Sequence, residues 1–317
     1  MTVAVILLAY AGGVGTVGAR LLARARWTAR APLLGIFTYL AAGWSVLAAV
    51  GLAGLTLAVR ATAIGGDLSQ LIGACVRRLH TLYATPGGAT VAELGLILAG
   101  AVVARTVLAA ASHQRAAGRQ ALQHAQTARL AGHLEPGLGA VVVEHPDPAA
   151  YCVAGRYPTV IVTTGAMAAL GPGQLDAVLA HERAHLAGRH HALRAAARIG
   201  RQVIPFLPLL RDAEAQVARL AELHADDAAI RATDPRTLAT ALVLLATAAP
   251  AAPAPALAAA ATDAVQRIHR MLGPAEPLGR LRRHVLRATA ATLALTPVLV
   301  ALTPAVLALA LGKVPAA

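Results

Sequence analysis

The residues of this chain best equipped for chemistry are the pentad His181-Glu182-Arg183-Ala184-His185. On a helix, positions i and i+4 share a face, so both imidazoles can reach one metal ion while Glu182 flanks its water. That arrangement suits metal-assisted hydrolysis, with zinc as the metal and Glu182 as the general base. Residues 173–180 carry apolar side chains at helical spacing, with no proline or glycine after Gly173, which predicts a helix running into the pentad.

A catalytic zinc takes three protein ligands and keeps one position for water, so a third group must come from elsewhere in the chain. His191 completes the spacing HExxHxxGxxH, with Gly188 in the glycine position. Against it, the Met-turn that such sites use has only Met271 to draw on, and residues 192–197 favour a continuing helix. Glu222 is the better candidate. It lies on a separate predicted helix over 211–231, and Asp226 at i+4 can accept a hydrogen bond from a ligand imidazole. His224, Arg267 and His269 are candidates for stabilising an oxyanion. His190 and His191, beside Arg189, read as a solvated polar helix end, and Cys75 and Cys152, without a cysteine partner at metal-site spacing, read as structural.

The elements around the pentad are partly legible. A helical stretch is predicted at about 114–131, then strands at 139–144 and 157–164, each closed by turn residues, and a helix continuing past the pentad to about 201. Strands thus precede the metal helix, and one lying at a sheet edge could bind extended substrate. The apolar run 203–210 holds two prolines and is too short to span a membrane; it suits a lip on the membrane or bundle and a buried core segment equally well. The Ala- and Pro-rich stretch 248–261 reads as a linker.

Composition places the whole in lipid. The 317 residues are 57% hydrophobic and only 14% charged, with a mean hydropathy of +0.61. Residues 2–19 and 31–59 carry no charge, 89–111 carries Glu93 and Arg105 toward opposite ends, and 288–312 is charge-free with Pro297 and Pro304 predicted to kink it. Each is long enough for the ~20 residues that cross a hydrocarbon core. The expected organisation is three membrane helices over 1–111, a zinc peptidase domain over 112–284, and a fourth helix with a short outer tail over 285–317. Arg20, Arg24, Arg26 and Arg30 crowd the first loop and place it in the cytoplasm, which puts the N-terminus outside, without a cleaved signal peptide, and the 112–284 domain inside. Cys75 then falls in the outer loop, whose 68–82 stretch suits an interfacial helix. A net charge of +13 with 3% aromatics fits anionic lipid rather than nucleic acid.

Residues 142–146, 151–155 and 160–165, together with His181-Glu182-x2-His185 and Glu222-x2-Ala225-Asp226, resemble the BlaR/MecR-type membrane metallopeptidases, whose catalytic domain is similar to that of the HtpX and CAAX prenyl proteases. The resemblance covers most of the chain, since that family also places three spans before its zinc domain and one after it. It implies a mainly α integral membrane protein of the bacterial plasma membrane, with four transmembrane helices and a cytoplasmic α+β gluzincin-like peptidase domain. It also implies zinc held by His181, His185 and Glu222, Glu182 as base, and a protein substrate such as a BlaI-type repressor. The best-known members carry a penicillin-binding sensor after the last span. This sequence ends at Ala317, five residues past that span, and β-lactam sensing is not among the expectations. A different function, a non-catalytic membrane regulator with a structural zinc domain, leaves Glu182 without a purpose. An intramembrane protease is disfavoured by Arg183 and Arg189 on the metal helix.

Overall fold

The computed structural model describes residues 1–58, 88–155, 157–248, 254–274 and 276–310. The charge-free stretches form helices because, with no side chain able to replace water for the backbone, only an internally hydrogen-bonded segment is stable in an apolar setting. Helix α1 (Thr2–Ala23) contains a π-helical turn at Val14–Gly18, and a short α2 (Trp27–Arg30) leads into α3 (Pro32–Ala58). Helix α4 (Gly88–Ala131) is a single run of 44 residues, about 66 Å long and twice a hydrocarbon core. The separate helix expected at 114–131 is its continuation. Among the described residues, four segments are long and apolar enough to cross a membrane, namely Thr2–Ala23, Pro32–Ala58, Thr90–Arg119 and Arg280–Pro304. The predicted outer loop, with Cys75 and the 68–82 stretch, lies outside the described residues.

Helix α3 is the hub, packed by α1, α4 and the last long helix. The Tyr10 hydroxyl lies 2.9 Å from Ser45 Oγ and 2.8 Å from Leu293 O, which ties three apolar helices at one level. Gly54 and Gly95 let the backbones of α3 and α4 touch, since a Cβ on either would run into the other helix's main chain.

Beyond α4 comes a four-stranded sheet of β1 (Gly132–Glu135), β2 (Ala140–Val143), β3 (Ala150–Val153) and β4 (Thr159–Thr163), in the order β1-β2-β4-β3. Strands β2 and β4 are the two that the sequence predicts, and they pair in parallel with Val142 opposite Val162. The antiparallel edges β1 and β3 were not anticipated: β1 has no apolar run to mark it, and β3, though apolar, is only four residues long. The Thr163 hydroxyl accepts from Ala166 N–H and starts α5 (Thr164–Ala169). Helix α6 (Pro172–Ala187) begins with proline in its first turn, and the Gln174 side chain accepts the Gly171 N–H. Its Leu175, Val178 and Leu179 pack on Val142, Val160 and Val162 of the sheet, which fixes the pentad against the strands.

Two expectations fail here. The helix does not continue through the pentad to residue 201: α6 stops at Gly188, Arg189 turns left-handed at φ 48°, and a new helix α7 (His190–Val203) sets off. The 248–261 linker is largely helix, because α10 (Ala254–Leu272) begins there with Pro255 in its first turn, where a missing N–H costs nothing. Between them lie α8 (Pro208–Ala229) and α9 (Pro235–Ala248), and the last long helix is α11 (Arg280–Ala310), which runs through Pro297 and Pro304. Helices α7 and α8 share one apolar cluster with α1 and α3, from Leu7 and Ile36 to Leu210 and Leu220, so the 203–210 run is packed into the bundle.

Candidate metal centre

Helix α6 presents His181 and His185 on one face, and α8, packed beside it, brings Glu222 to the same point. The His181 and His185 Nε2 atoms are 3.1 Å apart, Glu222 Oε2 is 3.5 Å from the first and Glu222 Oε1 is 3.6 Å from the second. A zinc ion with bonds of ~2.0–2.1 Å in tetrahedral geometry needs ligand edges of about 3.3 Å, so the three atoms fit one face of such a site and leave the fourth corner for water. Among the described residues this is the one group of histidine, cysteine and carboxylate side chains able to hold a metal. His191 is exposed and lies outside the group.

Each ligand is held from behind. His181 Nδ1 lies 3.1 Å from Asp226 Oδ1, but the ring is tilted away from hydrogen-bond geometry, and Nδ1 is the one buried side-chain polar atom left without a hydrogen bond among the described residues. Donor and acceptor are in place and only the tilt separates them. Asp226 is fully buried and takes a two-pronged hydrogen bond from Arg267, at 2.8 and 2.7 Å, while Arg267 Nη1 lies 3.2 Å from Glu222 Oε2. Arg267 therefore ties the third ligand to the carboxylate behind the first. Burial alone would lower the His181 pKa, but Asp226 and Glu222 outweigh it and raise it to about 9. Burial likewise opposes ionisation of Glu222, and the two ligand histidines, with Arg267, overcome it and hold the carboxyl well below its ordinary range.

The expectation for His190 is reversed. It is 1% exposed, its Nδ1 lies 2.8 Å from His185 Nδ1, and its Nε2 lies 2.9 Å from His224 Nδ1. If His185 offers Nε2 to a metal, its Nδ1–H donates to His190, whose Nε2–H donates to His224, so the chain of three neutral rings has a single polarity. Burial, with His185 and His224 adding to it, pushes the His190 pKa down to about 3 and keeps it neutral. The helix break puts it there. A Cβ on Gly188 would collide with the His190 ring, so this glycine is needed for space rather than for its backbone angles. The sequence carries no local signal for this, since a glycine two residues before a histidine does not by itself mark a helix end.

Of the oxyanion candidates, Arg267 is in the site but committed to two carboxylates, His224 stands behind His190, and His269 is exposed on α10. Glu182 is half-buried and lies within hydrogen-bonding reach of the Cys152 thiol on edge strand β3. Burial first, then Glu182, pushes the Cys152 pKa up to about 12, which keeps it a neutral thiol beside Glu182.

No curated protein and no solved structure matches the chain. Residues 111–211, which hold the sheet, the pentad, the helix break and His190, match the model of peptidase family M48, and this match supports a metallopeptidase.

Proposed function

We propose that the protein is a membrane-embedded zinc endopeptidase that hydrolyses peptide bonds of cytoplasmic or membrane-proximal proteins. The observation that carries this reading is the triangle of His181, His185 and Glu222 atoms, with edges of 3.1 to 3.6 Å, beside Glu182. Zinc, when bound, polarises the scissile carbonyl and lowers the pKa of a water toward ~7. Glu182 takes the proton from the attacking water and returns it to the leaving amine. Asp226 and His190 orient the two imidazoles, and Arg267 holds Glu222 and Asp226 in register. Edge strand β3 offers main-chain groups beside Glu182 against which an extended substrate can lie.

The four apolar helices support multi-pass insertion, and the arginines of the first loop support a cytoplasmic peptidase domain with the N-terminus outside, in a bacterial plasma membrane. The resemblance to BlaR/MecR-type peptidases suggests a signalling role in which the substrate is a repressor of the BlaI type. The test is zinc content and proteolysis of the purified full chain, wild type against Glu182→Gln and Glu222→Ala. Metal-loaded but inactive Glu182→Gln, with zinc lost in Glu222→Ala, supports the peptidase. Stoichiometric zinc with no Glu182-dependent cleavage of the chain itself, casein or a repressor favours the regulator with a structural metal.

A further inference from the structure

Helices α7 and α8 form a hairpin whose tip packs among the apolar helices rather than in the peptidase domain. Leu207 rests on Gly15 of α1, Leu210 on Gly43 of α3, and Leu220 on Gly35, so α8 starts deep beside Gly43 and rises along α3 toward its Pro32 end. Each contact lies below the start of the span it touches. Gly43 lies eleven residues past Pro32, about 16 Å along α3; Gly15 lies five residues before Arg20, about 8 Å along α1; and Arg105, which reaches the end of α7, lies seven residues before Ser112, about 10 Å along α4. With a hydrocarbon core of ~30 Å, depths of about 8 to 16 Å run from the middle of the cytoplasmic leaflet to the bilayer midplane.

The chemistry of the tip suits that depth. Residues 203–210 carry no charge, and Phe206, at its apex, is 78% exposed with its neighbours Ile204, Leu209 and Leu210 buried in the bundle. Backbone that is not helical at membrane depth must have its polar groups satisfied by protein. Pro205 and Pro208 bring no N–H, and the carbonyls of Gln202 and Val203 at the end of α7 accept from Arg105, at 2.6 and 3.0 Å. This also accounts for an arginine within a span. The first charges above the tip are paired, Arg198 and Arg201 with Glu214 at 2.8 and 3.1 Å and Arg211 with Asp212 at 2.8 Å. They form a belt one to two turns higher, at the level where long side chains reach headgroups.

We infer that the α7–α8 hairpin dips into the membrane, with the 204–207 loop seated in the hydrocarbon of the cytoplasmic leaflet and Phe206 in contact with lipid. The inference rests on the proposed reading of the four apolar helices as spans. Leu220, two residues from Glu222, rests on Gly35, three residues past Pro32, so the hairpin sets the metal centre at about the level where α3 enters the membrane. A centre at that height meets peptide bonds close to where a membrane-anchored substrate leaves the bilayer.

The test uses the full chain in phosphatidylglycerol and phosphatidylethanolamine nanodiscs, with Trp27 and Trp44 replaced by phenylalanine and a single tryptophan introduced by Phe206→Trp, Leu299→Trp or Thr240→Trp. Leu299 is exposed on α11, and Thr240 is exposed on α9 of the peptidase domain. With lipids brominated on the acyl chain, Phe206→Trp is expected to lose as much emission as Leu299→Trp, while Thr240→Trp keeps its own. Leu299→Trp quenched with Phe206→Trp unquenched overturns the inference and leaves the spans standing. All three unquenched overturns the membrane reading and the inference with it. Phe206→Trp is conservative in size and polarity, and zinc content of each variant verifies the fold.

Discussion

Replacing His190 with alanine is expected to weaken zinc binding by about 10- to 100-fold, the range for loss of a partner that orients a ligand. At 1.4 kcal/mol per tenfold this is about 1.4 to 2.8 kcal/mol, the scale of one buried hydrogen bond to a ligand ring. The bond at stake is the 2.8 Å contact between His190 and His185 Nδ1, and its loss also strands His224, which His190 meets at 2.9 Å. His190→Asn should recover part of the affinity, because its Oδ1 can stand where Nδ1 accepts. Gly188→Ala should lower affinity without touching a histidine, since the added methyl meets the His190 ring. The assay is chelator competition on the detergent-purified chain in a Glu182→Gln background, with the visible spectrum of the cobalt-substituted protein reporting ligand geometry. An affinity for His190→Ala within about twofold of the parent, with an unchanged cobalt spectrum, would refute the idea that the histidine chain fixes His185.

Metal binding should release about one proton near pH 7.5, because the metal-free His181 has its pKa raised to about 9 and must give up that proton to offer Nε2; calorimetry in buffers of different ionisation enthalpy measures it, and a release near zero contradicts the site. For the metal-free protein, a pKa raised on folding stabilises in full below the ordinary histidine value and is lost as pH climbs through about 9, a change on the order of 3 kcal/mol at most. Its Tm should therefore fall across that window while that of the zinc-loaded protein stays flatter. Arg267→Met leaves the fully buried Asp226 without its cation and should cost about 3–5 kcal/mol of stability, read by denaturant titration. Gly95→Val should separate α3 from α4 and lower Tm without changing zinc stoichiometry, since the contact with Gly54 is far along the spans from the metal.

The pentad was legible because its spacing encodes geometry that needs no tertiary information: i and i+4 on a helix share a face whatever surrounds them. Glu222 and Asp226 were legible for the same reason, one helix removed, and the structure brings them to the pentad. The four long apolar helices could be read from length and charge. What could not be read were features decided by single contacts. Nothing local distinguishes Gly188 as a terminator from a glycine within a helix, because the cause is the His190 ring that must occupy the space beside it. The four-residue edges β1 and β3 exist because β2 and β4 offer them partners, and alanine- and proline-rich composition hid α10, which supplies Arg267.

Helix α8 carries the arrangement from membrane to chemistry. At its first turn Leu209 and Leu210 belong to the cluster shared with α1 and α3, and further up Glu222 and Asp226 face the pentad. Arg270, one turn past Arg267 on α10, binds Asp227 through two hydrogen bonds of 2.7 and 2.8 Å and also donates to Ala29 O in α2, at 2.9 Å. The loop between the first two apolar helices is thus bonded to the residue next to Asp226. A shift of α1 or α3 along its own axis would be felt at Glu222 through α8 and two arginine clamps, without any change in the pentad's own helix. Arg270→Ala separates these routes. If α2 restrains Glu222 through Asp227, zinc dissociation quickens in this variant while the sheet and α6 keep their hydrogen-exchange protection. Unchanged dissociation would leave the packing of α8 on α1, α2 and α3 as the mechanical link.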